Sequence, residues 1–191
     1  MMSFHKNEFD PVYMNEAIRL AHRAGELGEV PIGAVVVCDG VIIGEGWNVR
    51  ETEQNVCGHA ELLALRSACR HLGSWRLDNC DLYVTLEPCI MCAGAIQNAR
   101  LRNLFFGAYD PKAGACGSRW DILSLPGLNH DVFVQGGLMR EECARLIHSF
   151  FRDLRAQNKR IEQREGGRGA RRKFAKENKK LIHPDENQVS D

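Results

Sequence analysis

Two runs of β-branched residues meeting at Asp39-Gly40 constrain this chain of 191 residues more tightly than any other feature. Residues 32–38 (IGAVVVC) and 41–47 (VIIGEGW) are strand-sized, and Asp-Gly between such runs signals a β-hairpin. Upstream, Asp10-Pro11 opens a helix, with Asp as N-cap and Pro at the first helical position. Val12, Ala17, Ile18, Leu20, Ala21, Ala24 and Leu27 then form one apolar stripe, which Gly28 ends. Downstream the pattern turns helical from His59 to His71, and Gly73 closes it. Residues 82–86 (LYVTL) read as a buried strand broken by Glu87-Pro88, and residues 89–97 as a short helix of small residues. Residues 104–108 form a further strand, 132–134 a short one, and a long helix runs from Met139 to about Asn158. No internal repeat is visible. The order α-β-β-α-β-α-β, then a loop and a final helix, implies an α/β fold: a mixed sheet with helices on its faces.

Composition removes other classes. Forty-four per cent apolar and 26 per cent charged residues are ordinary for a globular domain and exclude collagen-like or wholly disordered architectures. No run of 18 apolar residues exists to span a membrane. The first ten residues, MMSFHKNEFD, lack the apolar segment of a secretory signal, so a cytoplasmic location is expected. In that compartment the eight cysteines read as reduced thiols or metal ligands rather than a disulfide framework. The 25 basic and 25 acidic residues cancel only in sum. Residues 1–151 hold 13 Lys or Arg against 18 Asp or Glu; residues 152–191 hold 12 against 7. An acidic body thus carries a basic extension, suited to a polyanion by counterion release or simply a solvated terminus. We divide the chain into a folded domain, residues 1–157, and a basic extension, residues 158–191. Residues 166–180 are expected to be loosely ordered and the last ten more so.

Chemistry concentrates in His59-Ala60-Glu61 and Pro88-Cys89-Ile90-Met91-Cys92. Cys89 and Cys92, three apart at a helix start, turn both sulfurs to one face. Two thiolates and an imidazole suit zinc, and three protein ligands leave a fourth position for water. Zinc lowers the pKa of bound water from 15.7 to about 7, and Glu61 stands ready as a proton shuttle. A lone Cys-x-x-Cys also suits structural or redox roles, and a lone His-x-Glu means little. Together, with Pro88 before the first cysteine, they match the zinc-deaminase signature H-x-E…P-C-x-x-C. Cysteines 38, 69, 80, 116 and 143 read as small core or boundary residues, and Met91 as packing.

The chain resembles the bacterial tRNA-specific adenosine deaminases of the cytidine deaminase-like superfamily. The likeness runs from about Tyr13 to Phe151. It rests on VPIGAVVV (residues 30–37), GEGWN (44–48), HAE (59–61), LYVTLEPCIMCAGAI (82–96), FGAYDPKAGACGS (106–118) and LNH (128–130). HAE and PCxxC indicate the superfamily; GEGWN and residues 106–118 point to the tRNA enzymes. The resemblance implies a three-layer α/β/α fold with a mixed, roughly five-stranded sheet and a long C-terminal helix. It implies deamination of adenosine to inosine at the wobble position of a tRNA anticodon stem-loop, by a homodimer with one zinc per subunit. His59, Cys89 and Cys92 would hold zinc and Glu61 would relay protons. Ala60 would help hold the attacking oxygen through its backbone, Asn48 would hydrogen-bond the purine, and Val30 would flank it. Asp110 would meet the nucleotide backbone, and Phe150 and Phe151 would line the anticodon-loop channel.

Plainer readings stand beside these. Asn48 follows a strand and suits a turn, Asp110 precedes Pro111 and suits another, and one of the adjacent Phe150 and Phe151 suits a core. Arg100, Arg102, Lys112 and Arg119 are candidate phosphate contacts or solvated charges. One departure from the family is Val56-Cys57-Gly58 before HAE. Cys57 is close enough in sequence to reach the open metal position and close it, which would make the zinc structural. The remaining alternatives are a deaminase of free cytosine, cytidine or guanine, and a non-catalytic RNA-binding subunit.

Overall fold

The computed structural model describes residues 8–165. Asp10 caps the first helix by accepting from the Val12 N–H at 2.9 Å, and α1 runs Pro11–Glu26. β1 (Gly33–Cys38) and β2 (Val41–Trp47) follow, turning at Asp39 and Gly40, both at positive φ as a two-residue hairpin turn requires. Then come α2 (Ala60–Leu72), β3 (Cys80–Leu86), α3 (Ile90–Ala99), β4 (Asn103–Ala108), a 3₁₀ turn (Ile122–Ser124), β5 (Phe133–Gln135) and α4 (Arg140–Glu165). α2 closes on Gly73 in the left-handed conformation. α4 continues past Asn158 to Glu165, because every residue between is compatible with a helix and Gly166 is the first breaker. The expected loose order of residues 166–191 lies outside the described residues. Among the described residues no helix is long and apolar enough to cross a membrane.

The chain divides into two units within α4, between His148 and Ser149. In the first unit the strand order is β2-β1-β3-β4-β5, with β1 antiparallel to both neighbours and β3, β4 and β5 parallel. The two-residue period of the strands sorts their side chains between two cores. Ala34, Val36, Leu82, Val84, Leu104 and Phe106 pack with α2 and α3. Val35, Val37, Tyr83 and Phe105 pack with α1 and the first turns of α4. The result is the expected three-layer α/β/α sandwich around a five-stranded mixed sheet.

Register decides which loops meet. Gly33 pairs with Trp47, and Ala34 with Val84, so the open end of the hairpin lies beside the C-terminal end of β3. Leu86 pairs with Ala108, which brings the end of β4 to the same edge. The segments around residues 30, 48, 87 and 109 therefore share one edge. Cys38, Cys80 and Asn103 mark the opposite one.

α2 reaches the first edge by packing directly on β2. A Cβ at Gly44 would overlap the Ala64 carbonyl, and one at Gly46 the Ala60 carbonyl at the first turn of α2. Gly46→Ala should therefore push the start of α2 off the sheet. We expect a loss of about 1–3 kcal/mol in chemical denaturation, the usual cost of overpacking, with weakened metal retention by the folded protein.

Candidate active site

His59 is the N-cap of α2 and Cys89 the N-cap of α3, both in extended conformation. Neither side chain is used for capping, so both are free to turn toward each other. His59 Nδ1 lies 3.7 Å from Cys89 Sγ and 3.5 Å from Cys92 Sγ. A tetrahedral zinc with Zn–N and Zn–S bonds near 2.0 and 2.3 Å demands an N···S separation of about 3.5 Å. Among the described residues this is the one cluster of three or more His, Cys, Asp or Glu side chains placed to share an ion. Its donor set fits zinc.

The three side chains titrate against one another. A hydrogen bond from Cys92, opposed by burial and helped by His59, holds the Cys89 thiol down to about 4. Cys92, bonded to Cys89 and buried, is pushed up. A metal held by both sulfurs would displace the Cys92 proton, since thiolates are the ligand form. The His59 imidazole is raised, chiefly by its bond to Cys89. Glu61, in the first turn of α2, is buried, and desolvation raises its carboxyl. Its sulfur neighbour Cys92 lies within hydrogen-bond reach. A buried carboxyl beside the cluster, raised from the usual carboxylate range, can both take and give a proton.

A second buried carboxylate organises the wall. Glu87 accepts from the N–H groups of Asp110 (3.0 Å), Cys116 (3.1 Å) and Ser118 (2.9 Å), and from the Ser118 hydroxyl. The Ala115 N–H donates to the Pro88 carbonyl at 2.8 Å, so residues 110–118 are tied to the cysteine segment. Gly114 has no room for a Cβ because the Glu87 carboxylate occupies it. Sequence reasoning missed Glu87, although its place immediately before Pro88-Cys89 was a signal.

The other candidates fall as follows. Asn48 is buried at the end of β2, and its Nδ2 donates to Glu29 Oε2 at 3.1 Å and to the Val30 carbonyl at 3.4 Å. The Val49 N–H donates to the Gly58 carbonyl at 2.9 Å, which sets Asn48 beside the His59 segment. Val30 is half-buried, and Ala60 is the buried first residue of α2. Asp110 does form a turn: its Oδ1 accepts from the Lys112 and Ala113 N–H groups. Phe150 and Phe151, on the part of α4 in the second unit, stack edge to face at 5.4 Å, with Phe151 exposed.

The structure decides two readings that the sequence left open. Cys57 does not close the metal position; it is exposed, its N–H bonded to Asn55 Oδ1 in a turn that faces it outward, and it lies outside the cluster. Arg102 is not a free phosphate contact. It makes a two-point ion pair with Asp81, at 2.8 and 2.9 Å, at the edge of the sheet away from the cluster. The five other cysteines are buried or half-buried free thiols, as expected.

Residues 7–108 match the cytidine and deoxycytidylate deaminase zinc-binding region. The tRNA-specific adenosine deaminase of Bacillus subtilis (strain 168) is 49% identical over 150 residues, which are 78% of this chain and 93% of that protein. A solved structure from work on A-to-I editing by tRNA:A34 deaminases at the wobble position of transfer RNA matches with a TM-score of 0.69 at 46% identity. It covers 72% of this chain and 99% of its own. A guanine deaminase from Bacillus subtilis matches with a TM-score of 0.53 at 36% identity, over 66% and 83% of the two chains. The first of these findings defines a zinc-binding deaminase. With the near full-length likeness of the next two, the chain belongs to the tRNA-specific adenosine deaminases.

Glu87→Gln turns an amide NH₂ toward N–H donors that now find a carboxylate oxygen. We expect about 1–3 kcal/mol of lost stability in urea denaturation, the cost of unpaired buried donors. Faster hydrogen exchange at the Asp110, Cys116 and Ser118 amides should accompany it.

Proposed function

We propose that this chain hydrolyses adenosine to inosine at the wobble position of a tRNA anticodon, releasing ammonia. The observation that carries the proposal is the buried Glu61 beside the His59–Cys89–Cys92 cluster, in a chain of this family. One zinc per chain, held by His59, Cys89 and Cys92, would supply a water ionisable near neutral pH. Glu61 takes one proton from the attacking water and delivers it to the purine ring nitrogen; it then takes the second from the hydroxyl newly bonded to C6 and gives it to the departing amine, so that ammonia leaves and the C6 carbonyl forms. The raised carboxyl suits that two-way traffic. The Ala60 N–H, at the open start of α2, helps hold the attacking oxygen. Asn48 hydrogen-bonds the purine and Val30 flanks it.

The base must leave its stack to enter, which favours a loop nucleotide. Asp110 meets the backbone beside the target, Phe150 and Phe151 offer aromatic faces to the anticodon loop, and the exposed Lys112 and Arg119 are placed for phosphates. This substrate implies a cytoplasmic enzyme. A homodimer would cover the outer face of α3, where Ile90 is 48% exposed and Met91, Gly94 and Ala95 are partly so.

The test is to incubate zinc-loaded protein with total bacterial tRNA and sequence for inosine at the first anticodon position. Wild-type protein should produce it. Glu61→Ala should lose at least about 10²–10⁴-fold in rate while keeping zinc and RNA affinity. Ammonia from free guanine, cytosine or cytidine, with no inosine in tRNA, would instead make the chain a nucleobase or nucleoside deaminase. Light scattering should give the mass of two chains, and Ile90→Arg should give one.

A further inference from the structure

Glu29 is as deeply buried as any charged group described here, with 1% of its surface exposed, yet no step above uses it. It sits just past α1, at the sheet edge that carries the cluster. Its two oxygens have separate tasks. Oε1 accepts from the Thr52 N–H at 2.6 Å, and Oε2 accepts from Asn48 Nδ2 at 3.1 Å. The second Nδ2 proton is directed at the Val30 carbonyl, 3.4 Å away. Both groups facing the Asn48 amide nitrogen are therefore acceptors, and they define which end of the amide is NH₂. Oδ1 is left as its other end.

We propose that Glu29 is the positioning residue for Asn48, holding its amide in one of two otherwise equivalent orientations so that the base always meets the same edge. The proposal rests on the purine-binding role given to Asn48 above. An unpinned amide turns over and offers donor and acceptor alternately, whereas a pinned one offers a single pattern. Thr52 strengthens the hold. Its N–H is backbone and cannot reverse, and its hydroxyl donates to the Val49 carbonyl at 3.2 Å, which fixes the segment following Asn48. The bond from the Val49 N–H to the Gly58 carbonyl then joins this segment to the one bearing His59.

Glu29→Gln is nearly isosteric and discriminates. With its oxygen kept on the Thr52 N–H, the new Nε2 faces Asn48 Nδ2, donor against donor, and the amide must turn over or move away. Two measurements on the zinc-loaded full chain decide the matter. The first is independent of catalysis: in ¹⁵N-resolved NMR the two Asn48 Nδ2 protons should be exchange-protected in wild type, and in Glu29→Gln should lose that protection and shift. Unchanged Asn48 side-chain signals in the variant overturn the proposal, whatever the activity. The second is a double-mutant cycle on inosine formation in a tRNA anticodon stem-loop, with zinc content and melting temperature checked for each variant. Glu29→Gln should lower kcat/KM about tenfold or more. It should add less than about twofold in an Asn48→Ala background, because the residue it acts through is gone. Equal losses in both backgrounds assign Glu29 a structural role and overturn the proposal. If Asn48→Ala retains wild-type kcat/KM, there is no edge to present and the inference fails while the deaminase reading stands. If wild type forms no inosine, that reading fails, and the NMR comparison alone still decides whether Glu29 orients the amide.

Discussion

The contact on which the rest of the site depends is the direct seating of α2 on β2. Gly44 and Gly46 remove the side chains that would otherwise hold the helix off the sheet, and the α2 backbone fills the space. That seating brings the first turn of α2 to the edge where β3 ends and α3 begins. His59 and Cys89 are then the N-caps of two helices starting near one point, and ligand-scale distances between their side chains follow from backbone placement. Helix N-termini also direct unpaired N–H groups and positive dipole ends at that point, which favours thiolates.

Burying a carboxylate is costly unless its oxygens are satisfied, and the buried carboxylates described here solve that problem differently. Asp81 takes a guanidinium and the Asn103 amide. Glu87 takes three backbone N–H groups and a hydroxyl, and Glu29 takes a backbone N–H and a side-chain amide. Each of those three is saturated by groups that cannot be spared, and each holds a piece of structure in place. Glu61 is the exception. Desolvation dominates its protonation, and its own backbone N–H and the Cys92 sulfur, a weak partner, only offset that. The carboxyl least well satisfied by the fold is the one next to the cluster, which is the condition under which a carboxyl changes protonation readily.

Much of this was legible in the chain itself because it is local. Asp10-Pro11, Asp39-Gly40 and Gly73 act within a few residues, so α1, the hairpin turn and the end of α2 were readable. His59, Cys89 and Cys92 were readable because their spacing is tied to helix starts. What escaped is long-range. Glu29 bonds to Asn48 and Thr52, and Glu87 bonds to residues 110–118; neither pairing leaves a periodicity or a motif. The alternative in which Cys57 closes the metal position stayed open because closeness in sequence to His59 says nothing about direction; the Asn55 turn sends Cys57 outward. The two readings of Arg102 could not be separated because sequence distance from the strand end hides which sheet edge a residue occupies.

The mixed character of the sheet explains why segments so far apart converge. β3 and β4 are parallel, so their C-terminal ends share an edge and deliver Glu87, Cys89 and Asp110 to it. A parallel neighbour in place of β1 would send its N-terminal end, with Glu29 and Val30, to the opposite edge. Because β1 runs antiparallel to β3, its beginning lies at the end of β3, and the hairpin returns Asn48 to the same place. The metal ligands thus come from helices that begin at this edge, while the residues assigned to the base come from the open end of an antiparallel hairpin. The bond from the Val49 N–H to the Gly58 carbonyl joins the two sets, so the hairpin end that carries Asn48 and the segment that carries His59 are held in register with each other.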